Sequence, residues 1–331
     1  MRHISATGSP IHWCLESARF PASLLPPITF SMETSPFQVL LYYRYFPVSH
    51  PDEYAEAHRR FCEEHGLRGR IIVAAEGLNG TVSGTRTDTE AYIAALHEDP
   101  RTRDMVFKID PADEHVFPRL SVKVRSEIVR LGLDPDHDVD PNSLTGQRLG
   151  PREFLEAMSD DDTVIIDGRN DYEAEIGRFK GAICPDIQNF REFPDWVRRH
   201  REELEGKRVL TYCTGGIRCE KLSGYLRREG FDEVYQLDGG IVTYGKDPEV
   251  RGRDFEGLCY VFDERVAVEV NHTDTRTVIS RCRRCGVPVP EYLNCRWPEC
   301  NRQIFLCESC RERHGIFCDD GCREAMTTTG G

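Results

Sequence analysis

The chain has 331 residues, 14 cysteines and a formal net charge of -13, and it contains no apolar run of membrane-spanning length. This length is sufficient for two or three domains, each with its own core. The negative charge argues against non-specific nucleic-acid binding over the whole surface, although not against a local basic patch. Eight of the cysteines lie between Cys282 and Cys322. This crowding favours metal ligation in a reducing compartment, the cytoplasm, over a secreted disulfide framework.

Residues 1–35 show no sustained periodicity and are predicted to form a disordered extension. Their positive charge is sparse, so a transit peptide is the less favoured interpretation. Met32 is a candidate start, because the first strand pattern begins shortly after it.

Residues 36–133 alternate between strand and helix patterns in the order β-α-β-β-α-β, which predicts a ferredoxin-like α+β module. The predicted elements are the strand Gln38–Phe46, the helix Pro51–His65, the strands Arg70–Ala75 and Gly80–Ser83, the helix Thr87–Leu96 and the strand Met105–Ile109. An alternating strand at 120–125 then brings cations to one face, where Arg119, Lys123 and Arg125 are candidates for contacting an RNA backbone. A solvated mixed-charge surface would show the same pattern.

Residues 134–150 are rich in Asp, Pro, Asn and Gly and are predicted to be a linker. Strand-helix alternation resumes over 151–255, which predicts an α/β domain with a doubly wound parallel sheet. The strand Thr163–Asp167 is almost wholly apolar, as is typical of a strand buried on both faces. The remaining predicted elements of this domain are the helix Arg152–Met158, the helix Pro194–Leu204, the strand Val209–Tyr212, the helix Glu220–Glu229 and the strand Glu233–Leu237.

The loop from Cys213 to Arg218 lies between a predicted strand and a predicted helix, and its inner residues are Thr214, Gly215, Gly216 and Ile217. The glycines allow backbone N–H groups to turn inward, and the helix adds its positive N-terminal end. A thiolate at Cys213, close to the guanidinium of Arg218, is therefore predicted to have a depressed pKa and to act as a nucleophile. The alternative is a half-buried cysteine beside an ordinary glycine turn. Cys219, on the first helical turn, is either a resolving thiol or a small packing residue.

Closely spaced cysteines crowd the last part of the chain, residues 256–331, and predict two structural zinc ions. The four pairs are Cys282 with Cys285, Cys295 with Cys300, Cys307 with Cys310, and Cys318 with Cys322. Sequential and interleaved pairing are both possible, and disulfides or a single occupied site are the alternatives. The aromatic residues Trp297, Phe305 and Phe317 either stack on bases or form a small core. A separate iron site built from His272, Asp274 and His314 has suitable local spacing, but an exposed polar turn explains the same residues.

Over roughly residues 150–255 the chain resembles the rhodanese family. The shared motifs are D-x-R-x-x-x-E at Asp167, Arg169 and Glu173, G-x-x-x-G-A from Gly177, C-x-G-G-x-R from Cys213, and L-D-G-G near Gly239. The resemblance implies that Asp167 and Arg169 support the cysteine loop. The loop from Cys213 to Arg218 has six residues, which is the length found in rhodanese sulfurtransferases. The related phosphatases have a loop that is one residue longer.

Three further motifs extend the resemblance to residues 37–322. They are E-G-L-N-G-T-V-S-G from Glu76, R-C-E-K from Arg218 and C-Y-V-F-D-E-R from Cys259. In this combination the chain is similar to the oxygen-dependent tRNA uridine hydroxylases, which implies hydroxylation of a wobble uridine at carbon 5, O2 as co-substrate and Cys213 as the essential cysteine. The N-terminal module and the cysteine-rich region would position the anticodon loop of the tRNA, whose bases are unpaired. The electron donor is unknown, since no flavin or nicotinamide fingerprint precedes a helix.

The chemistry at Cys213 remains open at the level of sequence. A thiolate adds to carbon 6 of a uracil ring, or it carries a persulfide or an oxidised sulfur in the same cradle. Two other functions fit the same residues: a rhodanese-like sulfurtransferase that forms a persulfide on Cys213, and a non-catalytic RNA-binding adaptor that keeps the loop as a scaffold.

Overall fold

The computed structural model describes residues 35–289, 292–300 and 302–328. The predicted disordered extension, with its candidate start at Met32, lies outside these residues except for Ser35. The described chain forms an N-terminal α+β domain, a central domain with a parallel sheet, and a C-terminal cysteine-rich region. This arrangement confirms the predicted fold class.

The N-terminal domain has the predicted ferredoxin-like order with one additional strand. Its elements are β1 (Phe37–Tyr45), α1 (Pro51–Glu64), β2 (Arg68–Ala74), β3 (Gly77–Thr85), α2 (Arg86–Glu98), β4 (Lys108–Ala112) and β5 (Leu120–Val124). The sheet order is β4-β1-β3-β2-β5, in which β5 is parallel to β2 and the other pairs are antiparallel. Both helices pack on one face, where Leu40, Tyr42 and Ile71 are buried with residues of α1 and α2. The residues that alternate with these side chains point to the opposite face.

Two strands, β3 and β4, differ most from their predicted boundaries. β3 is longer than predicted because its glycines hide the alternation of side chains on which a strand prediction depends. β4 begins three residues later than predicted, because Met105 is buried in a turn that its N–H closes onto the carbonyl of Thr102. β4 also includes Pro111, which is tolerated there because β4 is an edge strand.

The central domain is organised around four parallel strands in the order β6-β10-β9-β7. Its elements are β6 (Gln147–Leu149), α3 (Pro151–Ala157), β7 (Thr163–Asp167), α4 (Asp171–Ile176), β8 (Gly177–Phe179), α5 (Phe193–Arg199), α6 (Arg201–Leu204), β9 (Arg208–Tyr212), α7 (Ile217–Arg228), β10 (Val234–Leu237) and α8 (Gly240–Lys246). Alternate residues of β7 enter two different cores: Val164 and Ile166 pack on one face, and Ile165 packs on the other. The sheet is therefore covered on both faces, as its apolar strands predicted.

Two segments of the central domain differ most from the sequence expectation, and α7 begins at Ile217 rather than at the predicted Glu220. The segment predicted as a linker contains β6, an edge strand of the parallel sheet, and its Val139 is buried in the core of the domain. The predicted single helix Pro194–Leu204 is divided into α5 and α6 at His200, whose ring nitrogen Nδ1 bonds the carbonyl of Trp196.

The C-terminal region combines short strands with two helices. They are β11 (Phe255–Gly257), β12 (Cys259–Tyr260), β13 (Ala267–Val268), β14 (Tyr292–Asn294), β15 (Gln303–Phe305), α9 (Glu308–His314) and α10 (Asp320–Thr328). β11 pairs with β8 and joins this region to the central domain. The side chains of Trp297, Phe305 and Phe317 are partly buried and pack against the cysteine cluster, the arrangement of a small core. None of the helices in the described part of the chain combines the length and apolar character that crossing a bilayer requires.

Candidate active site

The loop that carries Cys213 begins where β9 ends at Tyr212, and α7 begins five residues later at Ile217. Cys213 is 1% exposed, and the backbone N–H of Gly216 donates a hydrogen bond to its sulfur over 3.1 Å. Gly216 has a φ of 99°, a left-handed conformation that glycine adopts without steric cost. The loop therefore curls around the sulfur.

The N-terminal end of α8 holds the outer side of this loop. The N–H groups of Ile241 and Val242 donate to the carbonyls of Cys213 (3.0 Å) and Thr214 (3.1 Å). Gly240 makes this approach possible, because a Cβ at that position would lie 2.5 Å from the Cys213 carbonyl oxygen. The second glycine of L-D-G-G thus allows α8 to bind two carbonyls of the loop.

The surroundings of Cys213 favour its thiolate. Burial raises the pKa of the thiol, but a hydrogen bond from the Cys219 thiol, the charge of Arg218 and the backbone N–H groups of Cys219 and Arg218 outweigh this effect. The pKa of Cys213 falls from 9.0 to about 6. The charged form dominates at neutral pH, so Cys213 has the protonation state of a nucleophile.

Arg218 is buried and forms a bidentate salt bridge with Glu173, with distances of 2.6 and 2.8 Å. It also donates a longer hydrogen bond of 3.4 Å to the Thr214 hydroxyl. Burial raises the pKa of Glu173, but the charge of Arg218 lowers it further, so the carboxylate stays ionised. Arg218 therefore fixes the loop to α4, and Glu173 balances much of its charge.

Asp167 and Arg169 form a second buried ion pair below the loop. The guanidinium of Arg169 donates to both carboxylate oxygens of Asp167 (2.8 and 2.6 Å) and to the carbonyl of Gly177 (2.6 Å). The hydroxyl of Tyr212, the residue before Cys213, donates to the same carboxylate over 2.7 Å. This pair ties the ends of β7 and β9 together and supports the residue from which the loop starts.

Cys219 lies entirely within the protein, on the first turn of α7. Its sulfur lies against Gly168, where a Cβ would come within 3.5 Å of it. Burial raises the pKa of Cys219 well above its usual value, and the neighbouring Cys213 raises it further, so Cys219 stays protonated and donates its hydrogen bond to Cys213.

The next two residues of α7 bind the N-terminal domain, a role that the sequence analysis did not assign to them. Glu220 is buried and accepts hydrogen bonds from the hydroxyl of Tyr43 (3.1 Å) and the guanidinium of Arg148 (2.8 Å). The ammonium of Lys221 is enclosed by three carboxylates, listed by distance as Glu127 (2.7 Å), Glu76 (2.8 Å) and Asp138 (3.3 Å). The sequence does contain a sign of this contact between domains. Two adjacent charged residues, Glu220 and Lys221, occur in a helix whose other residues are mostly apolar or buried.

The strand β1 forms a roof over the loop with the face that its own helices leave uncovered. A Cβ on Gly215 would lie 2.9 Å from a methyl carbon of Leu41, and the hydroxyl of Tyr45 donates to the carbonyl of Ile217 over 3.3 Å. The hydroxyl of Tyr43 would lie 2.9 Å from a Cβ on Gly216. The sulfur is thus enclosed between two domains, and a larger molecule reaches it only when this roof moves.

The predicted zinc ligands gather into two groups of four. One contains Cys282, Cys285, Cys307 and Cys310, and the other contains Cys295, Cys300, Cys318 and Cys322. The sulfur atoms of each group lie within 4.8 Å of one another, close to the separation of about 3.8 Å that a tetrahedral zinc with bonds of ~2.3 Å requires. The groups fit metal ions, and the pairing is interleaved.

No other group of this kind was found in residues 35–289, 292–300 and 302–328, and neither group includes His272, Asp274 or His314. The alternative iron site is therefore not assembled within this part of the chain.

The predicted RNA-contacting cations Arg119, Lys123 and Arg125 are exposed at the outer edge of the N-terminal sheet, where β5 lies. The sheet register aligns Lys123 with Ile72, Asn79 and Tyr43 in one row across four strands. Residues in one such row point to the same face of a sheet. Lys123 and the roof over Cys213 consequently lie on the same face of the sheet.

Comparison with family models divides the chain in the same way. Residues 37–128 match a UPF0176 acylphosphatase like domain, residues 150–247 match a rhodanese-like domain, and residues 256–323 match a model described as rhodanase C-terminal.

Relatives cover nearly the whole chain. A protein of Bacillus mycoides named tRNA uridine(34) hydroxylase is 54% identical over 290 residues, which are 88% of this chain and 90% of the relative. A protein of Bacillus licheniformis with the same name is 52% identical over 287 residues, 87% of this chain and 88% of the relative. A third, from Bacillus anthracis, is 52% identical over 290 residues, with 88% and 90% covered.

Proposed function

Because the chain belongs to the tRNA uridine(34) hydroxylase family, we propose that it hydroxylates the wobble uridine of tRNA at carbon 5 and that Cys213 is its essential residue. The observation that carries this proposal is the buried sulfur of Cys213 in its cradle of N–H groups, with a pKa of about 6. Such a thiolate is a nucleophile at neutral pH. In this proposal the chain is an oxidoreductase of the monooxygenase type, which takes its oxygen atom from O2 and its electrons from a separate donor.

The other residues of the loop have distinct roles in this proposal. Arg218 and the N–H groups of the loop residues Thr214, Gly215, Gly216 and Ile217 stabilise the anion on Cys213 and hold the shape of the cradle. Cys219 donates a hydrogen bond to the thiolate. Asp167 and Arg169 position the strand ends from which the loop starts. Charge stabilisation that is fixed before the substrate arrives requires no reorganisation during the reaction.

The tRNA lies, in this proposal, along the open face of the N-terminal sheet. Arg70 on β2 is exposed on the same face as Lys123, and the register places it in a row with Leu41 of the roof. The distance from β1 to β5 is three strand spacings, about 14 Å. Phosphates bound along this row would direct the anticodon loop toward Cys213.

The two cysteine groups would each hold a structural zinc ion, with Cys282, Cys285, Cys307 and Cys310 in one and Cys295, Cys300, Cys318 and Cys322 in the other. Zinc coordinated by four thiolates contributes folding energy and has no open position for chemistry. Reduced thiols of this kind persist in the cytoplasm, where the protein and its tRNA substrate would meet.

The experiment that tests the function is nucleoside mass analysis of tRNA from cells that lack this hydroxylation. These cells receive the wild-type chain, its Cys213→Ala variant, or a Cys184→Ser variant as a matched cysteine control. We expect 5-hydroxyuridine derivatives with the wild type and the control but not with Cys213→Ala. Unmodified tRNA in cells that express the wild type well would contradict the proposal.

A sulfurtransferase is the second candidate, because the low pKa of Cys213 and its loop of six positions also suit a persulfide. Purified wild-type protein given thiosulfate and cyanide distinguishes the two. Thiocyanate formed at a rate typical of enzymes, about 1–1,000 per second, together with unmodified tRNA, would favour the sulfurtransferase.

The RNA-binding face has its own test. Binding of an anticodon stem-loop is measured over a range of salt concentrations for wild-type protein and for the Arg70→Gln, Lys123→Gln double variant. Loss of two phosphate contacts to a single strand reduces the slope of log affinity against log salt by about 1.4. An unchanged slope would place the RNA elsewhere on the protein.

A further inference from the structure

Lys108, on β4, lies on the face of the N-terminal sheet that covers the Cys213 loop. It is paired in register with Leu41 of β1, and directly paired residues point to the same face. Leu41 itself packs against Gly215 of the loop. The Lys108 ammonium lies 5.2 Å from the centre of the Tyr43 ring, whose hydroxyl is bonded to α7. The lysine therefore lies beside the roof, on the neighbouring strand and next to the loop.

The ammonium of Lys108 differs from the other cations around the loop, each of which is held by a carboxylate. These pairs are Arg218 with Glu173, Arg148 with Glu220, and Lys246 with Asp110. Lys108 has no carboxylate partner of this kind among the residues for which the structure gives a placement. It is half-buried, and the charged groups that face it are Cys213, Asp238, Glu220 and Lys246.

We propose that Lys108 is a further cationic residue of the Cys213 site, supplied by the N-terminal domain. In the free protein its ammonium stabilises the Cys213 thiolate. The second part of the inference depends on the function proposed above: when the roof moves and a uracil enters, the same ammonium binds a carbonyl oxygen of the ring. Electron density that a reacting uracil gains collects on its carbonyl oxygens, so a fixed cation at this position stabilises the reacting state more than the free base.

The arrangement of charge explains why a second cation is useful here. Arg218 is the cation nearest to Cys213 in sequence, but it forms a bidentate salt bridge with Glu173. The net charge of this ion pair is zero, so its electrostatic effect on groups farther away is weak. An ammonium without a carboxylate partner keeps its full charge. Burial lowers the pKa of Lys108, whereas the negative charges of Cys213, Asp238 and Glu220 raise it and Lys246 lowers it. The thiolate and the lysine therefore support each other's charged forms.

The test is the pH dependence of Cys213 alkylation in the full-length protein. Trypsin releases residues 209–218 as a peptide in which Cys213 is the single cysteine, so mass spectrometry reports this thiol among the 14 of the chain. The midpoint of the pH profile, rather than the absolute rate, gives the pKa of Cys213. The variants are Lys108→Met, the charge-retaining Lys108→Arg, and Lys207→Met, which removes a lysine at the opposite end of β9.

We expect Lys108→Met to raise the midpoint by about 0.5–1 pH unit, Lys108→Arg to restore most of the shift, and Lys207→Met to leave it unchanged. Nucleoside analysis should show tRNA hydroxylation reduced about tenfold or more in Lys108→Met and recovered in part with arginine. A midpoint that does not move in Lys108→Met overturns the inference, whatever the tRNA shows. A shifted midpoint with no hydroxylation by the wild type refutes the proposed function and the role toward uracil, while the pairing of Lys108 with the thiolate stands.

Discussion

Replacing Gly240 with alanine should disturb the Cys213 loop from the outside. The new Cβ would lie 2.5 Å from the Cys213 carbonyl oxygen, 2.7 Å from the Gly216 nitrogen and 2.8 Å from the Thr214 carbonyl oxygen. All three contacts are backbone atoms, so the loop itself must shift. The hydrogen bond from the Gly216 N–H to the sulfur then weakens, and the pKa of Cys213 should rise.

Gly181 provides a matched control, because its φ of 75° is close to the 69° of Gly240 but no atom lies within 4 Å of a Cβ built there. Alanine in a left-handed conformation costs about 1–2 kcal/mol at either position. Overlap with a packed backbone adds about 1–3 kcal/mol at Gly240 alone. Urea unfolding should therefore separate the two variants by about 1–3 kcal/mol, with Gly240→Ala the less stable.

The alkylation profile completes this comparison. Gly240→Ala should raise the midpoint for Cys213 and reduce tRNA hydroxylation, whereas Gly181→Ala should change neither. If both variants lose the same stability and keep the wild-type profile, α8 does not support the cradle and the reasoning about the loop is refuted.

Three more perturbations test other parts of the structure. Lys221→Met leaves the three carboxylates around this residue without their cation. Because these carboxylates are partly exposed, we expect the free energy of unfolding in urea to fall by about 2–4 kcal/mol. A loss below about 1 kcal/mol would mean that the contact between α7 and the N-terminal domain contributes little. Native mass spectrometry should find one zinc ion in the double variant Cys282→Ser, Cys310→Ser but none in Cys282→Ser, Cys295→Ser, whereas sequential pairing would give the opposite pattern. Because the folded pKa of Cys213, about 6, lies below its usual 9.0, the stabilising effect of the thiolate is complete above pH 9 and is lost as the pH falls through 6. The stability difference between wild type and Cys213→Ala should therefore shrink over this range, and a constant difference would argue against a thiolate.

The sequence predicts those features of the fold that depend on local pattern. The apolar strand Thr163–Asp167 enters two cores because it has no polar face, and the cysteine spacings bring thiols into two metal groups. The glycine-rich β3 and the edge strand β4 are placed less accurately, because glycine and proline obscure the alternation of side chains. The interleaved pairing of the cysteines is a tertiary property, and spacing alone does not determine it.

The largest gap concerns the contact between domains. Sequence motifs identify Cys213 and Arg218, but they give no sign that Tyr43 and Lys108 lie over the loop. Both residues lie on strands whose opposite faces form the core of the N-terminal domain. In the sequence, the alternation of side chains along a strand is enough to place Tyr43 and Lys108 on the outer face, so nothing indicates that a second domain covers them. The adjacent Glu220 and Lys221 carry the matching information on α7, as charged residues in a buried helix. A sequence shows such charges but not which residues balance them.

The source of the hydroxyl oxygen tests the central claim most directly. Cells that lack this hydroxylation are grown under heavy-isotope oxygen gas with either the wild-type chain or its Cys213→Ala variant, and the mass of the 5-hydroxyuridine derivatives is measured. The account predicts that the modified nucleoside carries the heavy oxygen with the wild type and is absent with Cys213→Ala. A hydroxyl group that carries ordinary oxygen, or one that forms equally well without Cys213, would contradict it.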